Sequence, residues 1–162
     1  MVKLLISHYS RGGATAKMAE LIAEGASAGQ VDVEVKKTEK TTPEDLLAAD
    51  GIAIGSPTYY GAPAAVVRKL FDDSVKYHGR LDGKVGGAFA SSANIGGGNE
   101  TTILGILQSM LVHGMVIQGI AQGDHYGPVS IGMPDERATR QCVEYGKGLG
   151  QIMLRLTPLH DQ

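Results

Sequence analysis

The chain alternates short apolar runs with stretches of helical periodicity, and this alternation limits the folds open to it. Val2 to Ser7 is continuously apolar and β-branched, the pattern of a strand buried on both faces. Thr15, Met18, Ala19, Ile22 and Ala26 then recur at helical spacing, with Lys17, Glu20 and Glu24 opposite and Gly29 as a stop. Val31, Val33 and Val35 alternate with charged residues, as in a more exposed strand. Thr42-Pro43-Glu44-Asp45 has the form of a helix start. Gly51 to Gly55 reads as a third strand, and Ala64, Val67, Leu70 and Phe71 as the face of the next helix. Leu81 to Lys84 turns into a fourth strand, Val85 to Ser91. Thr101 to Val112 is helical, Met115 to Ile120 is a fifth buried strand, and Ala138 to Leu156 carries the apolar stripe of a last helix. Strands alternating with helices require a parallel sheet with helices on both faces, because right-handed crossovers place them there. No linker divides the 162 residues, so one domain over 1–162 is expected.

Composition removes several function classes. A net charge of −2 offers no basic footprint for nucleic acid. One cysteine cannot form an internal disulfide, the N-terminal apolar run is too short for a signal-peptide core, and no stretch approaches a membrane span. A cytoplasmic protein without membrane contact is expected. No His/Cys/Asp/Glu group has metal-ligand spacing, so no metal is expected. Glycine is in excess, 23 of 162 residues, and nine of these glycines fall in loops expected at one edge of the sheet: Gly12, Gly13, Gly55, Gly61, Gly96, Gly97, Gly98, Gly123 and Gly127.

In such a sheet, ligands bind beyond the carboxyl ends of the strands. Three loops there are unusual. Ser10, Arg11, Gly12, Gly13, Ala14 and Thr15 offer hydroxyls, glycines and a helix N-terminus, a setting that favours phosphate. The loop lacks both the Walker pattern and the G-x-G-x-x-G dinucleotide fingerprint. The second loop, Ser56 to Gly61, brackets two tyrosines with Pro57 and Gly61 and suits a planar ligand. The third, Ser91 to Glu100, contains consecutive glycines that let the main chain approach a ligand. Each loop alone also fits an ordinary turn. Together, after strands one, three and four, they describe a flavin mononucleotide (FMN) site. A phosphoacceptor receiver domain would need acidic residues where Ser7-His8 and Gly55-Ser56 stand.

At these residues the chain resembles the flavodoxin-like superfamily, and within it the NAD(P)H:quinone oxidoreductases of the tryptophan-repressor-binding-protein (WrbA) type. The resemblance rests on Tyr9-Ser10 with Gly13, Ser56 to Gly61, Ser91-Ser92 through Glu100, and His113 to Ile117, with a weaker match at Tyr126-Gly127. It implies a flavodoxin-like three-layer sandwich with a five-stranded parallel sheet of order 2-1-3-4-5. It implies that Ser10 to Thr15 hold the FMN phosphate, that Pro57, Thr58, Tyr59, Tyr60 and Gly61 line the isoalloxazine, and that Ser91, Ser92, Asn94, Gly96 and Gly97 border its pyrimidine side. It further implies NAD(P)H as electron donor, a quinone or similar small-molecule acceptor, a role for His113 near the flavin or across a subunit boundary, and substrate contact by Tyr126. Ala62 stands where the family commonly has Asn, Asn99 where Gln is common, and the chain is shorter than typical quinone reductases of this type. A flavodoxin acting as an electron carrier is the alternative.

Other single residues read more plainly. Cys142 lies on an apolar stripe and is expected in the core. His8 is expected to pack, and His78 and His160 to lie at the surface. On spacing alone His113 is a residue at a helix C-terminus, where a cation suits the dipole. Ile103, Leu104, Ile106, Leu107, Met110, Leu111 and Val112 leave their helix almost without a polar face. Such a helix is expected to pack on the sheet and at a homodimer interface as well, with a tetramer left open. Gly146, Gly148 and Gly150 interrupt the last helix at a cost, and no function is assigned to them.

Overall fold

A computed structural model describes residues 1–157; His160 lies outside the described residues. Strand β1 (Val2–His8) leads to helix α1 (Ala14–Ser27), strand β2 (Val31–Lys37) and the short helix α2 (Pro43–Ala48). Thr42 and Asp45 cap α2 reciprocally, as Thr42-Pro43 foretold. Strand β3 (Gly51–Tyr59) turns through a hairpin into the two-residue β4 (Ala62–Pro63), followed by α3 (Ala65–Asp73). Strand β5 (Val85–Ser92) precedes α4 (Asn99–Val112), the short strands β6 (Val116–Ile117) and β7 (Val129–Ile131), and α5 (Glu136–Leu156).

The sheet runs β2-β1-β3-β5-β6, with β4 attached to β3 and β7 to β5. All pairings are parallel except β3 with β4. The long strands thus keep the expected order, and the sheet has seven strands rather than five. Strand parity divides the core. Leu5, Ile52, Ile54 and Ala88 face α3 and α4 on one side. Leu4, Ile6, Ala53 and Phe89 face α1 and α5 on the other. Helices therefore cover both faces, and the strand ends at the carboxyl edge stay open for loops.

The fifth strand position departs from expectation. In place of a continuous strand over Met115 to Ile120, β6 pairs with the start of β5 at Val85 and Gly86. β7 pairs with its end, at Ala90 to Ser92. Between them a side chain takes the missing strand's part. The Ala88 N–H donates to the Tyr145 hydroxyl of α5 at 3.0 Å. The ring reaches it because Gly87 has no side chain, and a Cβ there would stand 2.4 Å from the Tyr145 oxygen. A buried backbone donor needs a partner, and Tyr145 supplies one that local sequence pattern does not reveal. Burial, against the opposing pull of that hydrogen bond, pushes the Tyr145 hydroxyl up to about 12. Cys142, expected in the core, is fully buried there, and burial, followed by the nearby Asp124 charge, pushes its thiol up to about 12.

Candidate functional site

β1, β3 and β5 end side by side, so the loops after them meet at one edge of the sheet. They enclose a cavity of about 560 Å³, a size that takes a cofactor. The first loop contributes Ser10, Arg11, Gly12, Ala14 and Thr15 to its lining. Gly13 shapes the loop instead. It is the N-cap of α1 at φ 96, a left-handed conformation in which its N–H donates to Ser10 Oγ at 3.1 Å. No side chain caps α1, and its first turn holds no acidic residue. The N–H groups of that turn therefore have no intrahelical partner, and two of its residues, Ala14 and Thr15, line the cavity. α4 also starts uncapped, at Gly98, φ 96. By contrast α2, and α5 with its cap Asp135, satisfy their first turns with side chains.

The second loop lines the cavity with Pro57, Thr58 and Tyr59. Tyr9 meets Tyr59 edge-on, with ring centroids 6.4 Å apart. Tyr60 and Gly61 form the hairpin tip at φ 51 and 75, the backbone of a two-residue turn with both central residues left-handed. Tyr60 is the non-glycine residue among those described that adopts positive φ, and its side chain is fully exposed. The third loop contributes Ser91 and Ser92. Asn94 turns away, bonding the Ile95 carbonyl at 3.0 Å. Gly96 lines an adjoining cavity of about 630 Å³ between residues 95–101 and 129–137, and the Gly97 N–H closes a turn onto the Asn94 carbonyl.

Hydroxyls tie the loops together. Thr15 Oγ1 lies 2.9 Å from Ser91 Oγ, joining the first loop to the third in a buried contact. Thr102 Oγ1 lies 3.1 Å from Thr58 Oγ1, and Thr101 donates to the Gly61 carbonyl at 2.7 Å. The Asn99 amide donates to Ser92 Oγ at 3.1 Å. Gly132, after β7, completes the wall, its N–H donating to the Ser92 carbonyl. Thr101, Thr102, Gly132 and the stiffening role of Asn99 escaped the sequence reading. The run Asn99-Glu100-Thr101-Thr102 was the signal for three of them. Gly132 follows a three-residue strand too short to announce itself.

Two expected residues lie elsewhere. His113 caps the far end of α4, fourteen residues from the helix start. At 1.5 Å rise per residue this is about 20 Å from the loops. Its Nε2 lies 2.8 Å from Ser74 Oγ, whose own proton goes to the Phe71 carbonyl at 2.7 Å. Nε2 therefore carries the hydrogen, and the buried Nδ1 has no partner. Burial, followed by neighbouring His78, holds the ring below the ordinary histidine range. Within its own chain His113 is a packing residue, because a helix that starts at the site must end away from it. Tyr126 is exposed in the segment before β7 and lines neither cavity at the site edge. His8 packs as expected, with its pKa lowered chiefly by burial, and His78 is exposed as expected.

The geometry has counterparts among known proteins. A family model described as Flavodoxin matches residues 6–111. A protein named Flavodoxin from Aquifex aeolicus is 39% identical over 160 residues, covering 93% of this chain and 86% of its own length. A protein named NAD(P)H dehydrogenase (quinone) from Sinorhizobium fredii is 37% identical over 142 residues, covering 74% of this chain and 71% of its own. Among solved structures, a WrbA-like flavodoxin from Agrobacterium tumefaciens superposes with a TM-score of 0.81 at 23% identity, over 97% of this chain and 100% of that one.

Proposed function

The chain belongs to the flavodoxin family, and from that membership and the open cradle we propose that it binds FMN and carries two electrons from NAD(P)H to a quinone or similar small acceptor. The observation that carries the reading is the uncapped N-terminus of α1, joined by the Thr15–Ser91 bond to the loops that would flank a flat ring. The donors fit a phosphate: main-chain N–H groups of residues 11, 12, 14 and 15, the hydroxyls of Ser10 and Thr15, and Arg11, the one charged lining residue. Pro57, Thr58, Tyr59, Tyr60 and Gly61 would border the isoalloxazine on one side. Ser91, Ser92, Asn94, Gly96 and Gly97 would border it on the other.

Bound there, FMN supplies the hydride and electron chemistry. The protein supplies orientation. Main-chain amides of the 92–96 loop would favour negative charge on the ring, and the Tyr59–Tyr60 hairpin would flank it. No carboxylate, histidine or lysine lines the cavity, and electron transfer through a flavin does not demand one. Tyr60, Ile95 and Ile131 form an exposed apolar rim that suits an uncharged ring better than a charged protein face. That rim, and relatives named NAD(P)H dehydrogenase (quinone), favour turnover; the relative named Flavodoxin favours the carrier reading. The FMN-loaded protein is expected to oxidise NAD(P)H with benzoquinone under steady-state assay. Tight flavin uptake without turnover would establish the carrier. A protein that takes up no FMN would overturn both.

We place this single-domain protein in the cytoplasm as a homodimer. α4 packs Ile103, Ile106, Leu107 and Met110 into the core and leaves Leu104, Leu111 and Val112 exposed. Val112 shares a groove with exposed Val75 of the neighbouring helical turn. An apolar stripe of this kind fits a second copy better than water, and a tetramer would need a further surface. Light scattering at micromolar concentration is expected to give twice the chain mass; a monomer mass excludes the dimer.

A further inference from the structure

The hairpin that carries Tyr60 is held by hydroxyls from another element. Thr101 Oγ1 of α4 lies 2.7 Å from the Gly61 carbonyl oxygen and 2.9 Å from that of Gly98. A hydroxyl has one proton, so it serves one acceptor at a time. The Gly98 carbonyl already receives the Thr102 N–H at 3.0 Å and has the Thr102 hydroxyl at 2.9 Å. The Thr102 hydroxyl proton is given to Thr58 Oγ1, so the Gly98 carbonyl holds the Thr102 N–H and keeps one lone pair open. The Gly61 carbonyl has no other donor among the described residues. In the resting arrangement the Thr101 proton therefore sits on Gly61.

The hairpin tip needs such a hold. Tyr60 adopts φ 51, a left-handed conformation that its Cβ disfavours. Its side chain is fully exposed, so no contact within the chain offsets that strain. The tip is also packed close. A Cβ on Gly98 would stand 2.7 Å from the Gly61 Cα, so α4 begins directly against the turn. Strained backbone persists only where its surroundings over-determine it. Here the surroundings are the β3–β4 pairing of Tyr59 with Ala62 at the base of the turn, that contact, and the Thr101 hydrogen bond, which alone reaches the Gly61 carbonyl among the described residues.

We propose that Thr101 is a positioning residue, a latch that holds the Tyr60–Gly61 turn in its strained form over the mouth of the cradle. The proposal rests on the FMN reading above. The second acceptor gives the latch its particular character. When the turn moves, the Thr101 proton swings to the Gly98 carbonyl 2.9 Å away, so the hydroxyl loses no hydrogen bond on release. The turn is then ordered before the cofactor arrives, yet opens without leaving an unpaired donor. A preordered loop costs less entropy on binding, and an inexpensive release gives the ligand a way in and out. Thr102 differs: it is fully buried and bonded to Thr58, and belongs to the scaffold beneath. Thr101 is exposed at the surface, so its exchange leaves the core intact.

The test uses the full chain, wild type and Thr101→Val, Thr101→Ser and Tyr60→Gly variants, with FMN titrated by fluorescence quenching and its release followed by stopped flow. Thr101→Val is expected to weaken FMN binding about three- to tenfold, the weight of one hydrogen bond, and to speed its release, with the melting temperature unchanged. Thr101→Ser is expected to restore wild-type behaviour. In a Tyr60→Gly background, where the turn carries no strain, Thr101→Val is expected to have less than about half that effect in free energy, a coupling read from the double-mutant cycle. Unchanged binding in Thr101→Val, no rescue by Ser, or an equal effect with and without Tyr60 each overturns the latch. Failure of the wild type to take up FMN at all overturns the functional reading itself, and is told apart from these by the wild-type titration alone.

Discussion

A carboxylate at position 12 is expected to weaken FMN binding at least 100-fold while leaving the fold intact. Gly12 lines the cradle, its φ is not left-handed, and a Cβ built on it meets nothing within 4 Å. The side chain of Gly12→Asp therefore enters open space, on the loop whose N–H groups would hold the phosphate. Two like charges about 4 Å apart repel by about 4 kcal/mol at an effective dielectric of about 20. Solvent at this open mouth reduces that figure, and a 100-fold loss corresponds to about 2.7 kcal/mol. Gly12→Asn supplies nearly the same shape without charge. It is expected to lose less than about tenfold, and the Asp defect is expected to shrink as salt is raised. The measurement is FMN titration beside a thermal melt. Equal losses in the Asp and Asn variants would mean that the loop does not hold an anion.

Adding one methyl group at Gly146 is expected to destabilise the protein by about 3 kcal/mol or more, toward the upper end for overpacked cores. Helix propensity alone makes the opposite forecast, since alanine improves on glycine inside a helix by about 1 kcal/mol. Contact decides the sign. α1 and α5 cross so closely that a Cβ on Gly146 would stand 2.0 Å from the Ile22 carbonyl oxygen and 2.9 Å from the Ala26 nitrogen. The same contact recurs in reverse, where a Cβ on Gly25 would stand 2.0 Å from the Val143 carbonyl oxygen. Backbone atoms cannot rotate away as a side chain can, so the helices must separate and open the core around Ile22 and Cys142. At Gly148, two residues on, an added Cβ would meet nothing within 4 Å. Gly148→Ala is expected to follow propensity and raise stability by about 0.5–1 kcal/mol. Thermal melts of the two variants should shift in opposite directions; a stabilised Gly146→Ala would refute the close crossing.

The parts of the fold visible in the sequence are those set by local physics. Strand and helix periods follow from which face of each segment must leave water, and Thr42-Pro43 shows its cap within four residues. The three site loops could be read for the same reason, because glycine, serine and threonine between two periodic segments limit the backbone there and then. The fifth strand was legible at Val116–Ile117, but its split into β6 and β7 was not, because a side chain, Tyr145, replaces part of a ladder that strand pattern assumes to be main chain. That His113 stands far from the loops of its own chain was not legible, because a family match marks a residue without saying which end of its helix faces them.

By itself, then, the sequence determined the alternating architecture, the edge where a ligand sits and the residue types that meet there. Tertiary structure decided which glycines matter for packing, that His113 turns to Ser74 instead of its own site, and that Thr101 reaches across forty residues to the hairpin. The physical reason is range. Burial periodicity and turn chemistry act over a few residues, whereas helix crossing distance and the register of β3 against β5 arise only once distant segments pack together.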